Sequence, residues 1–264
     1  MPEANGDFEL DRAPLGEMVL GMQFAPLAGW SVLHYGLYWE SIRQAFPKFE
    51  LKDPLLDPSG LASMQAAVSA PGGFLPPRVW FIDESDAYVL QLQHDRMLLN
   101  WRRRQDSTYP RFRNLYSRLA TIWSEFVQFS EKAGLGTPRV SRCENSYYNY
   151  VDTQALQSAG TPFEGIFPVW HGGLQDYLGN SPTLAFSLTV ALPDVQGQTT
   201  TSLQPAVVPN ERKVLLQVQF TTAIVPAASD MDAVLAALEL GHKWNVRAFR
   251  EFTSEHAQQL WGRR

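Results

Sequence analysis

The stretches AYVLQLQHDR at Ala87–Arg96 and KVLLQVQFTT at Lys213–Thr222 decide the fold that we expect. Both contain a Leu-Gln-(Leu/Val)-Gln core inside an apolar run, and a fainter third copy, VLGMQF, begins at Val19. Since successive side chains of a strand point to opposite faces, the glutamines share one face and aliphatic residues share the other. Both stretches are therefore predicted to be β-strands with a polar face.

The predicted elements repeat in the order βαββα, over residues 14–135 and again over residues 138–264. An offset of 126 positions superposes Gln91 and Gln93 on the two glutamines of the second stretch, Gln217 and Gln219. We therefore expect one α+β domain made of tandem pseudo-symmetric βαββα halves. Their strands are expected to form antiparallel sheets packed on long helices.

Hydrophobic periodicity gives the bounds of these elements. The predicted strands are Glu17–Leu27, Arg78–Asp83, Ala87–Gln93, Met97–Arg102, Val140–Val151, Thr183–Leu192 and Lys213–Val225. The predicted helices cover Tyr35–Phe46, a segment from Tyr109 to a left-handed cap at Gly134, a segment from a Ser229/Asp232 capping box to Phe252, and a short last helix after Thr253-Ser254-Glu255. Two segments rich in turn residues, Lys48–Pro77 and Gly197–Asn210, are predicted to be loops, and Thr161–Leu178 is predicted to mix a short helix with turns.

The composition narrows the class of protein. A chain of 264 residues with 45% hydrophobic and 19% charged residues is typical of a globular protein with a sizeable core. Its net charge of −5 argues against a general affinity for nucleic acid phosphates. The single cysteine, Cys143, excludes an intramolecular disulfide. With no signal-peptide pattern and no long apolar run, we expect a cytoplasmic protein without a membrane segment.

Sequence motifs for catalysis are missing. The chain contains no P-loop, GxGxxG, HExxH, paired CxxC or GxSxG motif. Its five histidines lack the spacing of metal ligands. We therefore expect no catalytic residue, metal or cofactor, and favour a protein that is not an enzyme, although the sequence leaves catalysis open.

Ten polar residues are the candidates for binding a ligand or a partner. They are Gln91, Gln93, Asn100, Arg102, Arg111, Glu144, Asn149, Gln217, Gln219 and His242. The two glutamine rows can line a polar groove, but the favoured interpretation is the water-facing side of an antiparallel sheet.

The remaining candidates each have two interpretations. NWRRR at Asn100–Arg104 and YPRFR at Tyr109–Arg113 suit phosphates, stacked bases or an acidic partner, or form a solvated basic surface. Glu144 shares a strand face with two tyrosines, which suits acid–base chemistry but is more typical of an ion pair. His242 lies on the apolar side of a helix, where core histidines are common, and the alternative is a general base or a ligand contact at the helix–sheet interface. Cys143 can in principle be a nucleophile with a distant histidine, but it is expected to be an inert buried thiol.

Several segments resemble a sporadically distributed prokaryotic protein family of about this length whose function is uncharacterised. They are PLGEMVLGMQFAPL, HYGLYWESIRQAFPKFE, PRVWFIDESDAYVLQLQHDRMLLNWRRR with YPRF, CENSYYNYV and GHKWNVRAFREFTSEHAQQLWGR. The resemblance implies a prokaryotic single-unit protein and no particular activity. Such a distribution is typical of horizontally transferred genes, including antiviral defence and toxin–antitoxin loci.

The sequence favours a non-catalytic protein-binding or regulatory module that acts through a protein partner. The first alternative is a small-molecule or nucleotide-binding protein or enzyme, with a site between the sheet and the helices around Gln91, Arg102, Glu144, Gln217 and His242. The second alternative is nucleic-acid binding through residues 100–113. The sequence leaves homo-oligomerisation open.

Overall fold

The computed structural model describes residues 8, 10–56, 77–104, 108–153, 165–168, 185–208 and 213–263. The strands are β1 (Leu15–Phe24), β2 (Lys48–Lys52), β3 (Arg78–Ile82), β4 (Tyr88–Gln93), β5 (Arg96–Arg102), β6 (Val140–Val151), β7 (Phe186–Ala191), β8 (Gly197–Val208) and β9 (Lys213–Ile224). The helices are α1 (Val32–Ile42), α2 (Arg111–Lys132), α3 (Met231–Phe252) and α4 (Glu255–Leu260). None of these described helices is long and apolar enough to span a membrane.

Within the described ranges, nine strands form one sheet in the order β2-β3-β4-β5-β1-β6-β9-β8-β7. The hairpin pairs β2–β3, β3–β4, β4–β5, β7–β8 and β8–β9 are all antiparallel. The predicted α+β class with an antiparallel sheet is therefore confirmed.

The halves contain more strands than the predicted βαββα order. Four strands, β2–β5, lie between α1 and the long helix α2 in the first half, and three strands, β7–β9, precede α3 in the second. The last strand of each group lies beside β1 or β6. By this order β5 corresponds to β9, whereas the offset of 126 positions aligns β4 with β9. The repeated Leu-Gln pattern therefore marks strands at different places in the two meanders, and the internal duplication stays a prediction.

Two predicted loops contain strands. Lys48–Lys52 forms β2 within the segment that we expected to be a loop, and Gly197–Val208 forms β8. Turn residues misled the prediction. Pro205 lies within β8 and pairs with Leu216 of β9, and the described part of β7 pairs with Gln198–Leu203. The prediction for Thr161–Leu178 lies almost wholly outside the described residues.

Helix ends follow local cap chemistry. Gly134 adopts a φ of 73° directly after Ala133, the C-cap residue of α2, as predicted. Ser254 caps α4, as predicted, by accepting a bond from the N–H of Ala257 at 3.0 Å. The cap of α3 lies one residue later than predicted: Asp230 accepts the N–H of Ala233 at 2.9 Å, while the hydroxyl of Ser229 donates to the carbonyl of Val140.

The described residues divide into two compact units. The first unit consists of those within Val19–Cys143 and Pro226–Leu235, and the second of those within Met1–Met18, Glu144–Val225 and Ala236–Arg264. Each unit has its own aromatic core.

In the first unit, α1 and α2 cover one face of the strands. Tyr38 of α1 packs on Phe81 of β3, with ring centroids 6.2 Å apart, and on Phe126 of α2 at 5.3 Å. Because side chains alternate along a strand, Trp80 and Gln91 lie on the opposite face. These two residues are direct partners across β3 and β4.

In the second unit, α3 covers one face of β6 and β9. Phe220 of β9 packs on Phe249 of α3 with ring centroids 5.8 Å apart, and Phe249 packs on Trp261 at 5.7 Å. By alternation, Glu144 and Gln217 lie on the face away from α3.

Candidate functional site

The face of the first unit that points away from α1 and α2 contains a cluster of cations around one indole. The Nζ atom of Lys52 lies 4.7 Å from the ring centroid of Trp80. The guanidinium carbons of Arg78 and Arg102 lie 5.6 Å and 5.5 Å from the same centroid. We call the surface formed by Lys52, Arg78, Trp80 and Arg102 the basic face.

Strand pairing brings these residues together from distant parts of the sequence. Lys52 of β2 and Arg78 of β3 are direct cross-strand partners. Like charges in that arrangement destabilise a sheet, so the pair costs free energy that the fold must recover elsewhere. Glu50, with a carboxylate oxygen 2.6 Å from Nζ of Lys52, offsets part of this cost. A local cost of this kind is often found at residues kept for binding.

Gln91 fixes the orientation of the basic face from below. Its Oε1 atom accepts a bond from Nη1 of Arg78 at 2.7 Å and from Nε1 of Trp80 at 3.0 Å. Its amide nitrogen donates to Oδ1 of Asn100 at 2.8 Å. Both amide side chains are buried, with 5% of Gln91 and 4% of Asn100 exposed. The rotamers of Arg78 and Trp80 are therefore set before any ligand arrives, which lowers the entropy cost of binding.

The electrostatics of Arg78 favour an anion. Burial is the largest cause that lowers the pKa of Arg78, and the charge of Arg96 lowers it further. The charge of Asp53 acts in the opposite direction and raises the pKa. A lowered pKa means that the surrounding protein disfavours the charged guanidinium. A bound anion would relieve that cost, and a guanidinium fork suits a carboxylate or a phosphate.

Gln93 has a structural role next to this surface. Its side-chain amide accepts the N–H of Leu55 at 2.8 Å and donates to the carbonyl of Leu55 at 3.1 Å. It also donates to Oδ1 of Asp95 at 3.0 Å, and Asp95 binds Arg96 through two further bonds. The amide therefore pairs with the backbone as a strand would, and it holds the chain that leaves β2.

The glutamine rows do not behave as expected. Our interpretation that both rows face water is wrong for the first row, because Gln91 and Gln93 are only 5% and 1% exposed. In the second row Gln217 and Gln219 are half-buried, and Gln219 donates to the hydroxyl of Thr221 at 2.9 Å.

The site that we considered between the sheet and the helices is not assembled there. Gln91 and Arg102 lie on the face of the first unit away from α1 and α2, and Glu144 and Gln217 lie on the face of the second unit away from α3. Only His242 lies on a helix that faces the sheet, where its Nδ1 atom lies 2.5 Å from the hydroxyl of Tyr147. The sequence did not reveal which face the helices cover, because that depends on packing.

The polar residues under α3 form a closed network within the second unit. The amide of Asn145 donates to the carbonyl of Leu238 at 3.0 Å, and the amide of Asn245 donates to the carbonyl of Asn145 at 2.9 Å. The hydroxyl of Thr222 donates to Oδ1 of Asn245 at 2.7 Å. Asn149 also has a backbone partner, the carbonyl of Val218 at 3.1 Å. These bonds satisfy buried groups, so they indicate a structural role.

The face away from α3 contains Glu144 and the tyrosines. Oε1 of Glu144 accepts a bond from the hydroxyl of Ser146 at 3.0 Å. Burial, and next the charge of Glu17, raise the pKa of both Tyr148 and Tyr150 above its ordinary value. Tyrosines with a raised pKa stay neutral, so they do not provide a base near neutral pH.

Two further candidates have simple environments. Cys143 is buried, burial raises its pKa to about 12, and its Sγ atom donates weakly to the carbonyl of Val234 at 3.7 Å. A thiol with such a pKa is not a nucleophile near neutral pH, in agreement with the expected inert cysteine. Arg111 is exposed, adopts a φ of 65°, and lies with its guanidinium carbon 5.8 Å from the ring of Tyr109.

Sequence reasoning missed Lys52, Arg78 and Trp80. Alternation within RVWFI places Arg78 and Trp80 on one face, and the hairpin with β4 brings Gln91 beside them, so this signal was present. Lys52 could not be found in the same way, because its strand had been read as a loop.

Searches with family models and among curated proteins found no match to this chain. Among the residues that the structure describes, no three His, Cys, Asp or Glu side chains are grouped as metal ligands. The candidate site therefore has to be interpreted from its own chemistry.

Proposed function

We propose that this protein is a non-catalytic binding module whose basic face recognises an acidic segment of a partner protein. The observation that carries the proposal is the arrangement of Lys52, Arg78 and Arg102 around the half-buried indole of Trp80. Arginine and tryptophan are the residues most enriched at the energetic centres of protein interfaces. Carboxylates of the partner would bind the cations, and its aliphatic carbons would cover the indole.

The mixture of charges on this surface favours a peptide over a nucleic acid. Oε2 of Glu50 lies 2.6 Å from Nζ of Lys52. Oδ1 of Asp86 lies 3.3 Å from Nζ of Lys48. Carboxylates between the cations would repel a continuous phosphate backbone, whereas a protein segment can place a neutral or basic residue opposite each of them.

We propose a non-catalytic role because of the chemical groups that the basic face provides. Its described side chains offer cations, an indole and amide groups, but no nucleophile next to a base. A role in a defence or toxin–antitoxin locus stays a hypothesis that rests on the family resemblance, and the genes next to this one would test it.

The test compares two arginines that both lie over a tryptophan. Arg78 belongs to the basic face, whereas Arg247 of α3 lies 5.1 Å from the ring of Trp244 and pairs with Glu251. We expect Arg78→Gln to weaken binding of a fluorescent peptide of alternating Glu and Gly by about tenfold, the loss of one charge-assisted contact. Arg247→Gln should leave the affinity unchanged. Fluorescence anisotropy measures both.

Three results would overturn the proposal. They are no binding of the acidic peptide at low salt, equal losses in the two variants, or tighter binding of a single-stranded oligonucleotide of equal charge. The last result would support the nucleic-acid alternative, and its affinity would fall steeply with added salt.

A further inference from the structure

Strand β2 is the first strand in the sheet order, so among the described strands it pairs on one side only, with β3. Its five residues, Lys48–Lys52, are largely exposed. In an antiparallel ladder only alternate residues bond to the neighbour, so the other backbone groups of β2 point to its outer edge. Such an edge can accept a further strand.

The two faces of β2 have different chemistry. Lys48, Glu50 and Lys52 lie on the side of the basic face, because Glu50 is the direct partner of Trp80. Phe49 and Leu51 lie on the other side, where they are 55% and 65% exposed. The strand therefore presents the alternating code basic–apolar–acidic–apolar–basic.

The position of this edge is fixed by contacts at both ends. Phe49 packs on Trp39 with ring centroids 5.3 Å apart, and Nε1 of Trp39 donates to the carbonyl of Phe46 just before β2. After β2, the amide of Gln93 pairs with the backbone of Leu55. A strand held in this way is prepared for pairing, because little order has to be gained on binding.

We propose that the acidic partner segment binds as an extra strand along the outer edge of β2, the edge that pairs with none of the described strands. Charge complementarity specifies its pattern: acidic residues opposite Lys48 and Lys52, a neutral or basic residue opposite Glu50, and apolar residues beside Phe49 and Leu51. Backbone bonds would supply affinity and the alternating side chains would supply specificity. This inference rests on the proposed function and adds the conformation and the sequence pattern of the ligand.

The lysines remain available for a partner. Lys52 pairs with Glu50, and Lys48 pairs with Asp86 and donates to the carbonyl of Glu84 at 2.9 Å, but the side chains of these ion pairs are 36% to 53% exposed. Exposed ion pairs contribute about 0–1 kcal/mol, so an incoming carboxylate can share or replace them at small cost.

A second copy of this chain fits the edge poorly. Antiparallel pairing of β2 with itself about Glu50 would place Glu50 opposite Glu50 and each Lys48 opposite a Lys52. Like charges directly opposite one another destabilise a strand pair. The pattern therefore favours a different chain with carboxylates at those positions.

The first experiment uses a labelled peptide with the core Glu-Val-Thr-Val-Glu and two N-methylated versions of it. One version carries methyl groups on the odd amides and the other on the even amides. Strand addition predicts that one version loses at least about tenfold in affinity, since its donors face β2, while the other binds as the parent does. Equal affinities of the two versions would overturn strand addition.

The second experiment exchanges charges. Lys52→Glu should weaken binding of the acidic peptide by about tenfold. A second peptide carries Lys in place of the Glu that faces residue 52, and the variant should bind it more tightly than the wild type does. Lys243→Glu, at an exposed position of α3, serves as the control and should change neither affinity. Failure of the exchange to restore binding would overturn the assigned register.

The outcomes separate this inference from the proposed function. If both N-methylated versions bind as the parent peptide does, and the Glu-Gly peptide also binds, the proposed role of the basic face would stand and strand addition would be overturned. No binding of any acidic peptide would overturn both. A dimer of the free chain that Lys52→Glu strengthens would show self-pairing of β2 and overturn the proposed occupant.

Discussion

Buried amides have different surroundings in the two units. In the first unit, Gln91 lies on the face away from the helices, and its carbonyl oxygen binds Arg78 and Trp80, whose side chains are half-buried. In the second unit, Asn145 and Asn245 lie between β6 and α3, and their partners are a hydroxyl and backbone carbonyls. The first arrangement leaves cations at the surface, whereas the second satisfies buried groups internally. We therefore expect changes in the second unit to affect stability and changes in the first to affect binding.

The largest effect is expected at Asn245. Asn245→Ala would remove the amide that donates to the carbonyl of Asn145 and accepts from the hydroxyl of Thr222, which would keep only the hydroxyl of Thr199 at 3.0 Å. We expect the free energy of unfolding to fall by about 2–4 kcal/mol, as for other broken buried networks. Urea denaturation measures it, and Asn114→Ala at an exposed position of α2 is the matched control. An equal, small change in both variants would contradict the structural role of the network.

Gly241 tests how closely α3 approaches β6. A Cβ atom at this position would lie 2.8 Å from Oδ1 and 3.1 Å from Cγ of Asn145. Gly241→Ala should therefore destabilise by about 1–2 kcal/mol, because repacking of the asparagine outweighs the gain in helix propensity.

Gly36 in α1 is the control for that variant, since an added Cβ there would meet nothing within 4 Å. Gly36→Ala should stabilise the protein by up to about 1 kcal/mol through helix propensity alone. Thermal unfolding compares the two variants. Stabilisation by both would mean that the α3–β6 contact is looser than the structure indicates.

Cys143 gives a prediction for pH. Burial raises its pKa from 9.0 to about 12, so the folded protein keeps a proton that the unfolded chain releases. The contribution of this thiol to stability is complete below pH 9 and is lost as the pH rises from 9 towards 12. Over that window, deprotonation of the thiol in the unfolded chain lowers the free energy of unfolding by up to about 1.4 kcal/mol per pH unit.

The measurement is the slope of the unfolding free energy between pH 9 and pH 10, in wild type and in Cys143→Ala. The slope should be shallower in the variant, and iodoacetamide should label Cys143 only when urea unfolds the chain. Rapid labelling of the folded protein at pH 8 would contradict the buried, protonated thiol.

Alternation made most of the fold predictable. The bounds of β6 were predicted at both ends, and those of β3, β4, β5 and β9 within one residue, because alternating apolar residues mark a strand directly. β2 and β8 were missed, since proline and glycine near KFELK and within GQTTTSLQPAVV favoured loops. Thr-rich runs have high strand propensity, and the contacts of β8 with β9 outweighed its turn residues.

The candidate site was predicted only in part. Gln91, Asn100 and Arg102 were candidates for binding, and the structure places them together on or beneath the basic face. Lys52 and Trp80 were not, because cross-strand neighbours far apart in sequence become visible only once the register is known. The sequence also could not show that the helices of the first unit cover the other face, which decides that Gln91 supports a surface and not a core.

The smallest change in stability is expected at Arg78, and it completes the comparison. Arg78→Gln removes one donor to Gln91, but Nε1 of Trp80 still donates to the same oxygen. It also removes the repulsion between Arg78 and its cross-strand partner Lys52. The two effects oppose each other, so we expect the free energy of unfolding to stay within about 0.5 kcal/mol of wild type. Urea denaturation of the variant used in the peptide assay provides this value. A loss as large as that of Asn245→Ala would mean that Arg78 stabilises the fold, and its effect on peptide binding would then not identify a binding surface.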